Sequence, residues 1–236
     1  GISDLLIHLS ADQMTKPAGK VIEGEDLNVT VGSIPSKTAE KEKSKQAILD
    51  LLKEKYNIEE EDFKTAELEV VPAGKARDYG LDRSMVTGYG HDDRVCAYTS
   101  LAALLDTETV TRTAVCLLTD KEEVGSIGAT GAHSKFFENA VAEIMNCMND
   151  YTELKVRRAL FNSCMLSSDV SAGFDPNYPG VNEMKNTAFL GYGLCFNKFL
   201  GSRGKGGSND ANPDFLVKVF NAMDKDDVSF QTCELG

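Results

Sequence analysis

Residues 117–126 have the sequence Leu-Leu-Thr-Asp-Lys-Glu-Glu-Val-Gly-Ser, in which an apolar run ends on a cluster of charges. The apolar residues 114–118 are typical of a buried strand, and three carboxylates follow within the four residues 120–123. Like charges this close need a counter-charge or a metal, or one of them stays protonated. Ligands of open α/β sheets bind outside the carboxyl ends of the strands. The stretch therefore predicts that Glu122 and Glu123 belong to a functional site, and that the fold brings other carboxylates to them.

Composition narrows the class of protein. The 236 residues suffice for one large α/β domain or two smaller ones, and 42% hydrophobic with 26% charged residues is usual for a soluble globular protein. A net charge of −12 disfavours a nucleic-acid partner. No apolar run approaches the roughly 18 residues of a membrane span, and no signal peptide is visible. The six cysteines are scattered without a CxxC pair, which favours reduced core residues in a cytoplasmic protein.

The first part of the chain, residues 1 to about 78, has the pattern of a small α+β module. Apolar spacing predicts a short helix in residues 1–15 and a longer one over 39–56, and alternation predicts strands near 27–31 and 66–70. The predicted strands are amphipathic. A module of this kind often buries its other face against a partner subunit.

From about residue 79 the predicted strands and helices alternate. We expect strands over 110–118, 165–169 and 191–199 and one beginning at 228, and helices over 95–105, 134–149, 152–160 and 215–223. Such alternation favours an α/β fold with a mainly parallel sheet and helices on both faces.

Acidic residues occur at three breaks between these elements: Asp92, the cluster at 120–123, and Asp169. Together they predict an oxygen-rich site for one or two divalent metal ions, since a two-metal site needs a bridging carboxylate, terminal ligands and a nearby general base. An acid at a helix start is also a common N-cap, and that alternative stays open for Asp92 or Asp93.

Three other features are weaker. The glycine-rich residues 201–208 fail the phosphate-loop pattern, because Lys205 is followed by glycine. They fit either a flexible loop or a substrate-facing loop in which Arg203 or Lys205 supplies positive charge. His91 and His133 each lack a second histidine at ligand spacing, so we expect neither to bind metal.

The acidic motifs resemble a known family. Gly-His-Asp-Asp-Arg-Val-Cys-Ala-Tyr-Thr-Ser-Leu at 90–101, Asp-Lys-Glu-Glu-Val-Gly-Ser-Ile-Gly at 120–128 and Ser-Ser-Asp-Val-Ser-Ala-Gly-Phe-Asp-Pro-Asn-Tyr at 167–178 have the order and approximate spacing found in the co-catalytic zinc aminopeptidases. That family includes aspartyl aminopeptidase and vacuolar aminopeptidase I. The resemblance covers nearly the whole chain, and the three motifs together are specific.

The resemblance implies a role for each acid. Asp92 would bridge two divalent metal ions, Zn²⁺ with Mn²⁺ or Co²⁺ as alternatives, while Glu123 would ligate one ion and Asp169 the other. Glu122 would be the general base that activates the metal-bridging water. His8 matches a histidine that reaches into the partner subunit's active site and helps to stabilise the tetrahedral intermediate.

The resemblance also implies an architecture and an assembly. It suggests a three-layer α-β-α catalytic domain at 79–236 with a mainly parallel central sheet. The smaller α+β dimerisation domain at 1–78 would be inserted into it. Family members cleave N-terminal residues from peptides and assemble from homodimers into dodecamers, so we expect a peptide substrate and neither nucleic acid nor membrane as partner.

The chain departs from the family pattern in two ways, and these favour an alternative to the enzyme hypothesis. The chain starts at Gly1 without an initiator Met, and the family's two histidine ligands have no counterpart in it, so metal affinity should fall. The second hypothesis is therefore a non-catalytic fragment or assembly module that pairs through residues 1–78. A magnesium-dependent phosphoryl-transfer enzyme ranks below both, since no phosphate-cradling loop is present.

Overall fold

The structure, a computed structural model, describes residues 1–199 and 211–234. The chain divides into two compact units, Gly1–Ala73 and the residues from Gly74 onward. The sequence predicted the division near residue 78.

The first unit contains one α-helix, α1 (Lys43–Tyr56). It ends at Asn57, whose left-handed backbone (φ 56°) is a conformation that asparagine tolerates. The N–H of Asn57 donates to the carbonyl of Lys53, and the N–H of Ile58 donates to that of Leu52. The rest is irregular chain with 3₁₀ turns at Ile7–Leu9, Gln13–Thr15, Ala18–Lys20, Gly24–Leu27 and Glu60–Lys64. The predicted helix over residues 1–15 is thus replaced by two short turns.

The strands predicted at 27–31 and 66–70 do not form. Segment 27–31 does contact the start of the chain, because the N–H of Thr30 donates to the carbonyl of Gly1 at 2.7 Å and the carbonyl of Thr30 accepts from the terminal ammonium of Gly1 at 3.1 Å. An isolated bridge between Ile2 and Val29 lies beside them. A strand is stabilised by the hydrogen-bond ladder of a neighbour, and an alternating pattern without such a neighbour stays irregular.

The second unit contains most of the regular structure. Its elements are β1 (Arg77–Tyr79), β2 (Met85–Thr87), α2 (His91–Leu105), α3 (Phe136–Cys147), α4 (Glu153–Phe161), β3 (Leu194–Phe199), α5 (Pro213–Lys225) and β4 (Phe230–Glu234), with 3₁₀ turns at Glu122–Val124 and Pro179–Val181. The helix predictions are confirmed, with shifts at their ends. The hydroxyl of Thr152 caps α4 by accepting from the N–H of Lys155, and the side chain of Asn212 caps α5 by accepting from that of Phe215.

The best-packed part of this unit is the pair of parallel strands β3 and β4, with α5 between them in sequence. Phe196 of β3, Phe220 of α5 and Phe230 of β4 form one aromatic cluster, with ring centroids 4.8–5.7 Å apart. Val219, beside Phe220, is buried. The predicted strand, helix and strand of this region are confirmed.

The mainly parallel central sheet is not seen in residues 1–199 and 211–234. The two sheets there have two strands each: an antiparallel β1–β2 hairpin and the parallel β3–β4 pair. The strands predicted at 110–118 and 165–169 are irregular, and their apolar side chains are exposed, with Leu118 57% and Leu166 67% accessible. The three-layer arrangement and the inserted domain remain predictions.

The missing contacts of these segments give the physical reason. Extended segments form strands when neighbours pair with their backbone and cover their side chains, and on most of its length segment 110–118 has neither kind of contact with the other described residues. In the part of the chain that is described, no helix is both long and apolar enough to cross a membrane.

We predict that Phe220→Ala lowers the free energy of unfolding by about 2 kcal/mol, less than for a fully buried phenylalanine because the three rings are half-buried. Urea unfolding followed by circular dichroism measures the change. Phe161→Ala is the matched control, since that ring is 88% exposed at the end of α4 and should cost less than about 0.5 kcal/mol. Equal losses in the two variants would contradict the packing described for β3, α5 and β4.

Candidate functional site

The first acidic motif lies at the start of α2. Gly90 precedes it in the left-handed conformation (φ 77°), and a side chain at this position would press on the guanidinium of Arg94. The backbone of Asp92 and Asp93 is not helical and the peptide bond between them is cis. These two acids therefore form the lead-in to the regular helix, and their side chains lie at its amino-terminal end.

The thiol of Cys96, one turn into α2, interacts with charges of both the first and the third acidic motif. Burial raises the pKa of that thiol, the Ser168 hydrogen bond opposes the shift, and the charges of Asp169, Asp93 and Asp92 raise the pKa further. The carboxylates of Asp92 and Asp169 thus act on one thiol although they come from separate segments.

The segment that carries Asp169 is held in place by several hydrogen bonds. A side-chain oxygen of Asp169 accepts from the N–H of Val170 at 2.7 Å. Two residues later, the hydroxyl of Ser171 accepts from the side-chain amide of Asn197 in β3 at 3.2 Å. Further on, Phe174 donates its N–H to the carbonyl of Ala188 at 2.8 Å, next to a parallel bridge between Gly173 and Ala188.

The strand β4 also contacts the chain that pairs with this segment. The side-chain amide of Gln231 accepts from the N–H of Phe189 and donates to its carbonyl, each at 3.0 Å, as a neighbouring strand would. The ring of Phe189 packs against Phe174 at 5.4 Å. The position of Asp169 therefore depends on β3 and β4, through Ser171 on one side and Phe189 on the other.

The second acidic motif forms the 3₁₀ turn Glu122–Val124. Lys121 before it and Gly125 after it are both left-handed, with φ 68° and 91°, and the turn is closed by a hydrogen bond from the N–H of Ser126 to the carbonyl of Lys121 at 2.7 Å. The ammonium of Lys121 lies 3.6 Å from a carboxylate oxygen of Asp120. Lys121 is therefore a counter-charge for one of the three acids, and Glu122 and Glu123 are exposed on the turn.

A pocket of about 200 Å³ lies beside this turn. One wall is the end of the apolar run, and the other is the small-residue loop with the start of α3. Its lining residues are Leu117, Leu118, Thr119, Asp120, Thr130, Gly131, Ala132, Ser134, Phe136 and Phe137. The sequence did not predict this pocket, because it needs the rings of Phe136 and Phe137 from the next helix.

The predicted site residues are only partly assembled. The charges of Asp92 and Asp169 both act on Cys96, whereas residues 1–199 and 211–234 contain no group of three or more His, Cys, Asp or Glu side chains placed to hold a metal ion. His8 lies exposed in the first 3₁₀ turn of the other unit. Arg203 and Lys205 lie outside the described residues. The roles assigned to Glu122, Glu123 and His8 remain predictions.

The loop after the glutamates has no room for a side chain at Gly131, because a methyl group there would overlap the carbonyl oxygens of Ser126 and Ile127. We predict that Gly131→Ala shifts this loop, lowers the urea midpoint of unfolding and speeds amide hydrogen exchange at 122–131. Gly180→Ala is the control, since open space surrounds a methyl group at that position. Unchanged exchange in Gly131→Ala would show that the loop is packed differently.

Comparisons with known proteins agree on one family. The family model described as aminopeptidase I zinc metalloprotease (M18) matches residues 1–235. A probable M18 family aminopeptidase 1 of Clostridium acetobutylicum is 61% identical over 237 residues, covering 100% of this chain and 51% of the relative. The chain therefore spans about half the length of that relative.

Solved structures give the same result. The crystal structure of aminopeptidase I from C. acetobutylicum matches with a TM-score of 0.86 at 60% identity, covering 100% of this chain and 51% of that one. The M18 aminopeptidase of Thermotoga maritima matches with a TM-score of 0.89 at 39% identity, covering 100% and 52%. A yeast aminopeptidase 1 dodecamer shares the fold more distantly, with a TM-score of 0.51 at 20% identity over 69% of this chain and 37% of that one.

Proposed function

The chain belongs to the M18 family of zinc aminopeptidases, and from this premise we propose that the complete protein removes N-terminal residues from peptides with the help of two divalent metal ions. The observation that carries the proposal is the family match over residues 1–235, which includes all three acidic motifs. Asp92 and Asp169 belong to two of these motifs, and the charges of both raise the pKa of the Cys96 thiol.

The donor chemistry of these residues fits a divalent ion. Asp92 and Asp169 supply carboxylate oxygens, which bind Zn²⁺ and Mn²⁺ alike, and Glu123 offers a third carboxylate on an exposed turn. The negative charges of Asp92, Asp93 and Asp169 all act on the thiol of Cys96, and a bound divalent cation would offset them. We propose that Asp92, Glu123 and Asp169 are the carboxylates that would hold the metal ions, with Asp92 shared between them.

Glu122 is the proposed general base. When bound, the metal ions supply Lewis acidity toward water and the scissile carbonyl. The carboxylate of Glu122 then accepts a proton from the attacking water and delivers it to the leaving amine. Its exposed position at the start of the 3₁₀ turn gives it access to water, and the pocket lined by Leu118 and Phe137 offers space for the substrate's N-terminal side chain.

The first unit is proposed to mediate assembly. His8 is flanked by Ile7 and Leu9, which are 66% and 69% exposed, so an apolar surface surrounds it. We propose that residues 1–78 pair two copies of the protein and that His8 acts in the partner's site. Dodecamer formation, as in the yeast relative, would follow from such dimers. A cytoplasmic location is supported by six cysteines that are all free thiols.

We predict that Glu122→Gln in the complete protein lowers kcat for peptide hydrolysis by about 10²–10⁴-fold, the usual contribution of a general base, while zinc content stays unchanged. Initial rates on N-terminal aminoacyl peptides and metal analysis of the same sample measure both. Glu143→Gln replaces an exposed glutamate on α3 and should leave the rate unaltered. A Glu122→Gln variant with normal kcat would refute the assignment.

The second candidate function is a non-catalytic assembly module, and the observation in its favour is the match to about half of each M18 relative. The purified 236-residue chain, assayed with added Zn²⁺, Mn²⁺ or Co²⁺, separates the two candidates. An assembly module predicts dimers without turnover. Clear peptide hydrolysis by this chain would eliminate it.

A further inference from the structure

Two cysteines meet between the parallel strands of the second unit. The Sγ atoms of Cys195 in β3 and Cys233 in β4 lie 2.6 Å apart, only about 0.6 Å further than the two sulfurs of a disulfide bond. The register pairs Cys195 with Gln231 and Asn197 with Cys233, so the two cysteines are diagonal neighbours on one face of the strand pair. We propose that Cys195 and Cys233 form a redox-active dithiol that closes to a cross-strand disulfide when the protein meets a peroxide.

The surroundings distinguish this pair from the other cysteines. Of the six thiols, this is the pair whose sulfurs contact each other in the part of the chain that the structure describes. Cys147 and Cys164 are exposed thiols on α3 and just after α4, so exposure alone would direct an oxidant to them. Proximity favours Cys195 and Cys233, because the second thiol traps the oxidised first one before another molecule can react.

The accessibility of the two sulfurs assigns their order of reaction. Cys195 is half-buried, whereas Cys233 is only 5% exposed. Burial, and then the neighbouring Cys195, raise the pKa of Cys233 to about 12, so this thiol is a poor nucleophile toward a dissolved oxidant and reacts only with a sulfenic sulfur already in contact with it. Cys195 is therefore the thiol that meets the peroxide, and Cys233 is the resolving thiol.

The chemistry balances with hydrogen peroxide as oxidant. The Cys195 sulfur attacks one peroxide oxygen, the O–O bond breaks, and the products are a sulfenic acid and one water molecule. The Cys233 sulfur then attacks the sulfenic sulfur, the S–O bond breaks, and the hydroxyl leaves with the thiol proton as a second water. The pair loses two protons and two electrons in total, and the peroxide accepts them to become two water molecules.

The pair is also linked to the candidate site. The thiol of Cys195 donates to the side-chain oxygen of Asn197 at 3.4 Å, and the amide of Asn197 donates to the hydroxyl of Ser171, two residues after Asp169. Closing the disulfide removes the first of these hydrogen bonds, because Cys195 no longer carries a proton. Oxidation thus alters a contact that helps to position Asn197, independently of whether the protein is an aminopeptidase.

Peptide mapping of the folded protein tests the proposal. Trypsin cleavage after Lys185, Lys198 and Lys225 places Cys195 and Cys233 on different peptides, so a disulfide joins them into one species two hydrogens lighter than their sum. After brief treatment with hydrogen peroxide and alkylation of the remaining thiols, we expect this linked species in most chains, and we expect a dithiol reductant to abolish it.

Three comparisons make the result decisive. Cys195→Ser and Cys233→Ser should each abolish the linked species, while Cys147→Ser should retain it. The proposal is overturned if the two peptides stay unlinked while Cys147 or Cys164 is oxidised. It is also overturned if the link forms only in urea-unfolded chain, since the strand register would then play no part.

Discussion

The charges of Asp92 and Asp93 at the start of α2 and of Asp169 in a distant segment all act on the thiol of Cys96. This electrostatic interaction does not by itself hold the Asp169 segment in place. The proposed site therefore depends on a second source of stability that holds the Asp169 segment from the other side. That source is the pair of strands β3 and β4, which reach the segment through Asn197 and Gln231.

The two faces of this strand pair carry different kinds of side chain. One face carries Phe196 and Phe230, which pack with Phe220 of α5. The other face carries Cys195, Asn197, Gln231 and Cys233, whose polar side chains hold the neighbouring loop segments and whose thiols touch each other. Alternation along the two strands thus places the packed aromatic rings on one face and the polar side chains that hold the neighbouring segments on the other. The same register supports the Asp169 segment and brings the two thiols of the proposed oxidation site together.

Sequence reasoning succeeded where the signal is local. The helical spacing of Phe137, Val141 and Ile144 predicted α3, and the three acidic motifs identified the family. It failed for the strands at 110–118 and 165–169, because their apolar pattern states what they can bury but not whether a partner is present to pair with them. Within the site, the roles that the sequence assigned to Asp92 and Asp169 remain predictions.

The contact of Cys195 with Cys233 was not predicted. The six cysteines were interpreted as separate reduced core residues, since spacing along the chain gives no information on which distant residues share a strand pair. Alternation in the last two strands would have placed each cysteine on a definite face, but the register that brings them together depends on β3 and β4 packing against α5.

The most direct test of the central claim is anomalous diffraction at the zinc edge from crystals of the complete protein. The account predicts a zinc peak contacted by carboxylate oxygens of both Asp92 and Asp169, with Glu123 completing one coordination sphere. Zinc bound by other residues, with Asp92 and Asp169 outside its coordination sphere, would contradict it.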